Sequence, residues 1–286
     1  MHAPDLKPLV TRFAPSPTGR LHLGHACSAL LSHGLARAAA GRFLLRIEDI
    51  DPQRCRPEFE AGIYEDLHWL GLAWELPVRR QSAHANDYRA ALDRLAAAGF
   101  LYPCFCSRKE IEAEVARSVA APHGPEGSPY PGICRRLSET EREARIAAGK
   151  PYALRLDIGR ALAATGPLTW HDFEKGEVRA EPELLGDVVL GRRDAPASYH
   201  LAVTLDDHIQ GVTLVTRGED LFHATHIHRL LQALLGLDLP GYRHHQLLTN
   251  DKGERLSKRD GALTLAALRE AGRTAGEIRA LAGFPD

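Results

Sequence analysis

The run Leu9-Val10-Thr11-Arg12-Phe13 breaks into Ala14-Pro15-Ser16-Pro17-Thr18-Gly19, and that junction constrains the fold more than any other part of the chain. β-Branched and aromatic residues favour a short buried strand, while two prolines and a glycine stop its extension. An Ala-rich stretch from about His25 to Ala40 reads as a helix, with Gly41 placed as its stop. Phe43-Leu44-Leu45-Arg46-Ile47 is a second strand, with Glu48, Asp49 and Asp51 just past its end and Pro52 beyond. Strand, glycine-containing loop, helix and strand open a doubly wound α/β fold. In such folds ligands bind beyond the carboxyl ends of parallel strands.

The alternation continues. Phe59, Ile63, Leu67 and Leu70 recur at helical spacing before Gly71. Ser82 to Ala98 predicts a further helix with Tyr88, Leu92 and Leu95 inward and Gly99 at its end. Residues 102–137 are rich in Cys, Pro and Gly and read as an insertion, after which Ser138-Glu139-Thr140-Glu141 is a capping box opening a helix. Tyr152 to Ile158, Asp187 to Leu190, Tyr199 to Leu205 and Val212 to Thr216 are strand-like, and about Leu221 to Leu235 is helical. The expected organisation is a core in two halves, 1–101 and 151–286, separated by an insertion over 102–150.

Composition narrows the function. With 44% hydrophobic and 26% charged residues, the 286-residue chain is of ordinary globular type. No apolar run approaches the ~20 residues of a membrane span, and the start lacks a signal-peptide pattern, so a cytoplasmic location is expected. Lys plus Arg number 36 and Asp plus Glu 37, so any RNA partner must be attracted by a local patch rather than by net charge. Five cysteines, Cys27, Cys55, Cys104, Cys106 and Cys134, argue against a disulfide framework. Cys27 and Cys55 read as unpaired thiols.

Two loops carry chemistry. His22-Leu23-Gly24-His25 enters a helix N-terminus, where backbone N–H groups and the helix dipole can hold phosphate. There Gly24 would let a flat ring such as adenine come close. Alone, it reads equally as a polar loop with two incidental histidines. Near the other end, Lys252-Gly253-Glu254-Arg255-Leu256-Ser257-Lys258-Arg259-Asp260-Gly261 gathers four cations within eight residues, beside two glycines, a polyphosphate loop or a solvated turn.

Taken together, the loops resemble the paired signatures of class I aminoacyl-tRNA synthetases, with Arg255 standing where the family usually has lysine. The resemblance implies a Rossmann-type core forming an aminoacyl-adenylate from ATP with Mg²⁺. His22, Gly24, His25, Ser257 and Lys258 would bind ATP, and His22, His25 and Lys258 would stabilise charge developing on the phosphates. No general base is assigned. Arg12-Phe13-Ala14-Pro15-Ser16-Pro17-Thr18-Gly19, Leu45-Arg46-Ile47-Glu48-Asp49, Tyr199-His200-Leu201-Ala202 and Arg217-Gly218-Glu219-Asp220 are similar to the glutamyl-specific members. By that resemblance Arg12, Phe13, Ala14, Pro15, Ser16, Glu48, Tyr199 and Arg217 form a glutamate pocket.

Cys104-Phe105-Cys106 and Tyr130-Pro131-Gly132-Ile133-Cys134 present three thiols and a phenol. Zn²⁺ takes four ligands in a tetrahedron, so a fourth is needed: His123 or, less usually, Tyr130. Three reduced cysteines in a small core are the alternative. The pattern resembles the zinc site of the glutamyl-Q tRNA(Asp) synthetases, which implies one structural zinc on Cys104, Cys106, Tyr130 and Cys134. It also implies transfer of glutamate to the queuosine base at the first anticodon position of tRNA(Asp), by a monomer.

Only residues 262–286 follow the second loop, too few for an anticodon-reading helical domain, which favours the same acceptor. Charging of a tRNA 3′ end and a non-catalytic RNA-binding relic are the alternatives; intact His22, His25 and Lys258 disfavour the relic. His223, His226, His228, His244 and His245 are expected as surface and site-wall residues rather than a second metal centre. Asp206-Asp207 reads as a strand-end turn or a Mg²⁺ ligand pair.

Overall fold

Val10–Phe13 form strand β1 with all four side chains buried, and β2 (Arg42–Ile47) runs parallel to it, Val10 opposite Arg42 and Phe13 opposite Leu45. The computed structural model describes residues 8–107, 109–111, 129–248 and 264–284. Ser257, Lys258 and the rest of the basic loop lie outside these residues, as does His123. Between the two strands, helix α1 (Leu23–Ala38) begins two residues before the expected start. Its end corrects the role of Gly41. Ala40 takes the positive φ of 47°. Gly41 instead lies so close to the chain before β1 that a Cβ would stand 2.1 Å from the Leu9 carbonyl oxygen.

Helix α2 (Pro57–Trp69) follows and ends at Gly71, whose φ is +76°. β3 (Glu75–Arg80) then pairs parallel with β2. Its charges and Pro77 concealed it from sequence reading, and they suit an edge strand. Helix α3 (Ala85–Ala97) buries Tyr88, Leu92 and Leu95 as expected. Next come β4 (Leu101–Cys104) and, in the 129–157 stretch, helix α4 (Glu139–Ala147) with the anticipated Ser138–Glu141 capping box, then β5 (Ala153–Leu156). Helix α5 (Ile158–Thr165) leads to a hairpin of β6 (Thr169–Asp172) and β7 (Gly176–Arg179). β8 (Val189–Gly191) joins β5 and β4 in a separate antiparallel sheet, so residues on both sides of 105–152 share one small sheet.

Tyr199 to Leu205 is helical, not extended. It opens helix α6 (Tyr199–Ile209), and Asp206 and Asp207 belong to that helix rather than to a strand-end turn. Leu201 through Asp207 are all buried, so the segment lacks the polar face whose 3.6-residue rhythm betrays a surface helix. Leu201, Ala202 and Leu205 pack against Ile227, Leu230 and Leu231 of helix α7 (Ala224–Leu235) and against α3. β9 (Leu214–Gly218) and β10 (Gly241–His245) are parallel neighbours, and β10 also meets β6.

Two hydrogen bonds, Val10 N–H to Thr213 Oγ1 (2.8 Å) and Thr213 N–H to Val10 carbonyl (3.0 Å), set β9 beside β1. Strand order is therefore β3-β2-β1 on one side and β9-β10-β6-β7 on the other. The winding reverses between β1 and β9, the switch point where such folds bind ligands. The last helices, α8 (Leu265–Glu270) and α9 (Ala275–Leu281), place Leu265 and Ile278 in the same core as Phe13 and Leu45. Among the described residues no helix is long and apolar enough to cross a membrane.

Helix α8 faces a buried carboxyl on α2. Asp66 is fully buried, neither side-chain oxygen has a hydrogen bond, and Arg269 Nη1 stands 3.5 Å away. Burial, only partly offset by Arg269 and Arg20, raises its pKa to about 6. A carboxyl raised on folding binds its proton more tightly in the folded state, so its ionisation is a cost fully present above pH 6 and absent below the unfolded value. Asp66→Asn is therefore expected to stabilise the protein by about 1–3 kcal/mol at pH 7.5 and to give no gain near pH 3.5. Thermal melts at both pH values check this, and an unchanged or lower melting temperature at pH 7.5 refutes it.

Candidate active site

At the switch point the carboxyl ends of β1, β2 and β9 surround a cavity of about 350 Å³. Arg12, Phe13, Ala14, Pro15, Ser16, His22, Gly24, His25, Glu48, Tyr199 and Arg217 all line it, together with Thr18, Ser28, Thr216 and His245. Residues from the first loop, from the end of β2 and from the distant second half are thus one surface. The loop is held in place by its own backbone: Glu48 N–H donates to the Pro15 carbonyl (3.0 Å) and Arg56 N–H to that of Pro17 (3.0 Å).

One pole of the cavity is anionic. Glu48 accepts from Arg46 Nη2 at 3.1 Å. Burial pushes its pKa up, a shift that Arg46 and Arg12 oppose. Arg46 is completely buried and also donates to Asp207 (2.7 Å) and Gln210 (3.0 Å). Asp207 in turn accepts from Arg12 Nε at 2.9 Å. Arg12 thus has an acid of its own, and its Nη1 is tied to the Thr216 carbonyl (3.1 Å). Asp206 faces the other way, to Arg79, Gln81 and Tyr88. The Asp206-Asp207 pair therefore anchors buried arginines, and this replaces both the turn and the Mg²⁺ reading. An arginine inside the apolar run Phe43–Ile47 was the available signal, since a buried guanidinium requires acids nearby.

The other pole is cationic. Arg217, 6% exposed, ends β9 and donates to four neighbours. They are His244 Nε2 (3.1 Å), His228 Nδ1 (3.2 Å), Tyr199 Oη (3.4 Å) and Thr225 Oγ1 (2.5 Å). Of the histidines expected as surface or site-wall residues, His228 and His244 are buried against Arg217 and His245 lines the cavity. His226 is buried too, and its Nδ1 accepts the Glu181 N–H at 2.9 Å. Thr225 had no signal in the sequence, and the partnership of His228 and His244 with Arg217 had none either, since an inward histidine only breaks the apolar alternation of a strand such as β10.

His22 and His25 form the N-terminal cap of α1. His22 Nδ1 accepts the Gly24 N–H (3.1 Å) and His25 Nδ1 accepts the His22 N–H (3.2 Å), a capping box made of two imidazoles. With each Nδ1 committed as acceptor, each neutral ring carries its proton on Nε2, the donor a phosphate needs. A Cβ on Gly24 would meet the His22 ring at 3.1 Å, so the glycine makes room first for that imidazole. Leu248, the last described residue before the basic loop, lines the cavity, and Thr264, the first described residue after it, pairs with His22.

Some distance along the chain, Cys104, Cys106 and Cys134 bring their sulfurs within 4.8 Å of one another. Tyr130 Oη is 3.4 Å from the Cys104 sulfur and 3.5 Å from that of Cys106. A tetrahedron with Zn–S of about 2.3 Å and Zn–O of about 2.0 Å has S···O edges of about 3.5 Å, so these four groups suit zinc. Two cations flank them: Arg155 lies 3.9 Å above the Tyr130 ring, and Arg193 donates to the Cys104 and Cys106 carbonyls. Among the described residues this is the one group of three or more Cys, His or acidic side chains gathered for a metal.

The family described as tRNA synthetases class I (E and Q), catalytic domain, matches residues 8–276. The chain belongs to that family and is a ligase of the aminoacyl-tRNA synthetase kind. More narrowly, it falls among the glutamyl-Q tRNA(Asp) synthetases. The protein of that name from Rhodobacter capsulatus is 50% identical over 284 residues, 96% of this chain and 100% of that one. The one from Nocardia farcinica is 45% identical over 94% of this chain and 82% of its own. The solved glutamate-tRNA synthetase of Elizabethkingia anophelis superposes with a TM-score of 0.82 at 29% identity, covering 96% of this chain and 61% of that chain. Enzymes of this family activate their amino acid with ATP and Mg²⁺ and transfer it to tRNA.

Proposed function

We propose that the chain activates L-glutamate as the adenylate and transfers it to the queuosine base at the first anticodon position of tRNA(Asp). The observation that carries the amino acid is the pairing of poles in one cavity. Among the described residues Arg217 has only neutral hydrogen-bond partners, and Glu48 lines the same cavity. Glutamate in this cavity places its side-chain carboxylate on Arg217 and its ammonium toward Glu48, with Tyr199, Arg12 and the Phe13–Ser16 loop enclosing it. Its α-carboxylate is left toward the α1 N-terminus. There an α-carboxylate oxygen attacks the α-phosphorus of ATP, the P–O bond to pyrophosphate breaks, and pyrophosphate leaves. His22 and His25 donate from Nε2 to the phosphates, and Lys258 and Ser257 of the basic loop complete the ATP contacts. A queuosine hydroxyl then attacks the activated carbonyl and AMP departs.

The acceptor is supported by the identity with glutamyl-Q tRNA(Asp) synthetases along nearly the whole chain. It is supported also by the thiol–phenol cluster, in which Cys104, Cys106, Tyr130 and Cys134 would hold one structural zinc. We place the enzyme in the cytoplasm as a monomer, with 1–101 and 151–286 as the core halves and 102–150 as the zinc-bearing insertion. Incubation with ATP and labelled glutamate tests the acceptor. Label is expected on queuosine-containing tRNA(Asp) and on neither unmodified tRNA(Asp) nor tRNA(Glu). Charging of the tRNA(Glu) 3′ end overturns the reading.

A further inference from the structure

Among the described residues, the buried arginines other than Arg217, and the half-buried Arg79, are given acids. Arg12 has Asp207, Arg46 has Glu48 and Asp207, and Arg79 has Asp206 and Asp87. Arg217 is as buried as Arg12, yet no carboxylate among the described residues stands within ion-pair distance of it. Two imidazoles take that place. We propose that His228 and His244, the latter oriented by Asp172, are positioning residues that hold the Arg217 guanidinium without neutralising it and so set the preference for glutamate over glutamine. The proposal rests on the reading of Arg217 as receptor of the side-chain carboxylate.

The hydrogen bonds determine the proton positions. Arg217 can only donate, so His244 must present a lone pair at Nε2 and His228 one at Nδ1. His244 then carries its proton on Nδ1, where Asp172 Oδ2 accepts it at 2.5 Å. Asp172 is itself fixed by backbone N–H groups of Glu174 (2.8 Å) and Lys175 (3.1 Å). His228 carries its proton on Nε2, which faces His200 Nδ1 at 3.3 Å. Burial, and next the charge of Arg217, keep both rings neutral, His244 lowered to about 4 and His228 well below its ordinary value.

The chemistry follows from charge. A carboxylate in either histidine's place would orient Arg217 equally well but would pair with it, and an entering substrate carboxylate would then meet a neutral couple. An imidazole accepts the same hydrogen bond and leaves the positive charge for the substrate. Glutamine, isosteric with glutamate, cannot exploit that charge and brings an amide N–H₂ group among donors. The uncompensated cation selects acid over amide.

The test uses the full chain in ATP–pyrophosphate exchange, with glutamate or glutamine as substrate. His228→Leu and His244→Leu are expected to raise the KM for glutamate by about 10- to 100-fold, with kcat and the KM for ATP within about threefold. His228→Asn, which keeps an acceptor near Nδ1, and His244→Gln, which keeps one near Nε2, are expected to recover most of the loss. The kcat/KM ratio of glutamate to glutamine should fall in the leucine variants and return in the amide variants. Asp172→Asn is near-isosteric, releases the His244 tautomer and carries the test if a leucine variant does not fold; its glutamate KM is expected to rise about 10-fold. Amide variants that behave like the leucine ones, equal losses for ATP and glutamate, or an unaltered KM overturn the positioning role. Arg217→Leu separates the two ideas. If it leaves the glutamate KM unchanged, the pocket reading itself fails; if it raises the KM while the histidine and Asp172 variants do not, only the clamp fails.

Discussion

Arg217→Leu is expected to raise the KM for glutamate by about two to three orders of magnitude and to bring the glutamate and glutamine specificity constants close to one another. Removing one partner of a buried, hydrogen-bonded charge pair costs about 3–5 kcal/mol, because the remaining charge has given up water and received nothing. Here the stranded charge is the substrate's. The protein loses little by comparison, since the groups around Arg217 are neutral acceptors rather than an acid left unpaired. Melting temperature is therefore expected to change far less than KM, and ATP binding at the α1 N-terminus should persist. A glutamate KM within threefold of the parent would sink the assignment.

The second large effect is on the thiol cluster. Protein purified without chelator is expected to hold one zinc per chain, and the triple variant C104S/C106S/C134S none. The core there consists of Tyr102, Cys104 and Cys134 with a few half-buried neighbours, too little apolar surface to order the segment unaided. A structural zinc supplies folding free energy directly, of order 10 kcal/mol where a whole small fold depends on it. The loss here is expected to be smaller, about 3–5 kcal/mol, because part of the cluster's support is independent of metal. β4 remains in its sheet, and Asp187 still binds Tyr102 (2.6 Å), Arg135 (2.9 Å) and the Ile158 N–H (3.1 Å). Zinc analysis alongside thermal melting decides it. A parent protein without zinc, or a triple variant that retains it, ends the claim.

What was legible in the chain was what local rules govern. The β1–loop–α1–β2 opening, the Gly71 and Gly99 stops and the Ser138–Glu141 cap follow from propensity, left-handed glycine and side-chain caps, all acting within a few residues. Legibility failed where burial erased sidedness. α6 is enclosed along most of its length, so its residues offered no apolar stripe and read as strand. β3 was hidden by its edge position, and β10 by His244 pointing inward.

The same division runs through the site. Motifs along the chain picked out the residues expected to meet ATP and glutamate, because a phosphate loop and a helix N-terminus are local constructions; all of those among the described residues line one cavity. The partners that give these residues their charge state came only with the tertiary structure. Asp207 lies 195 positions from Arg12, and Asp172 lies 72 from His244. Hydrogen bonds and ion pairs between such groups leave no periodic trace in a sequence. Which of these two cations is left without an acid was therefore decided by folding: Arg12 was given Asp207 and Arg217 two histidines.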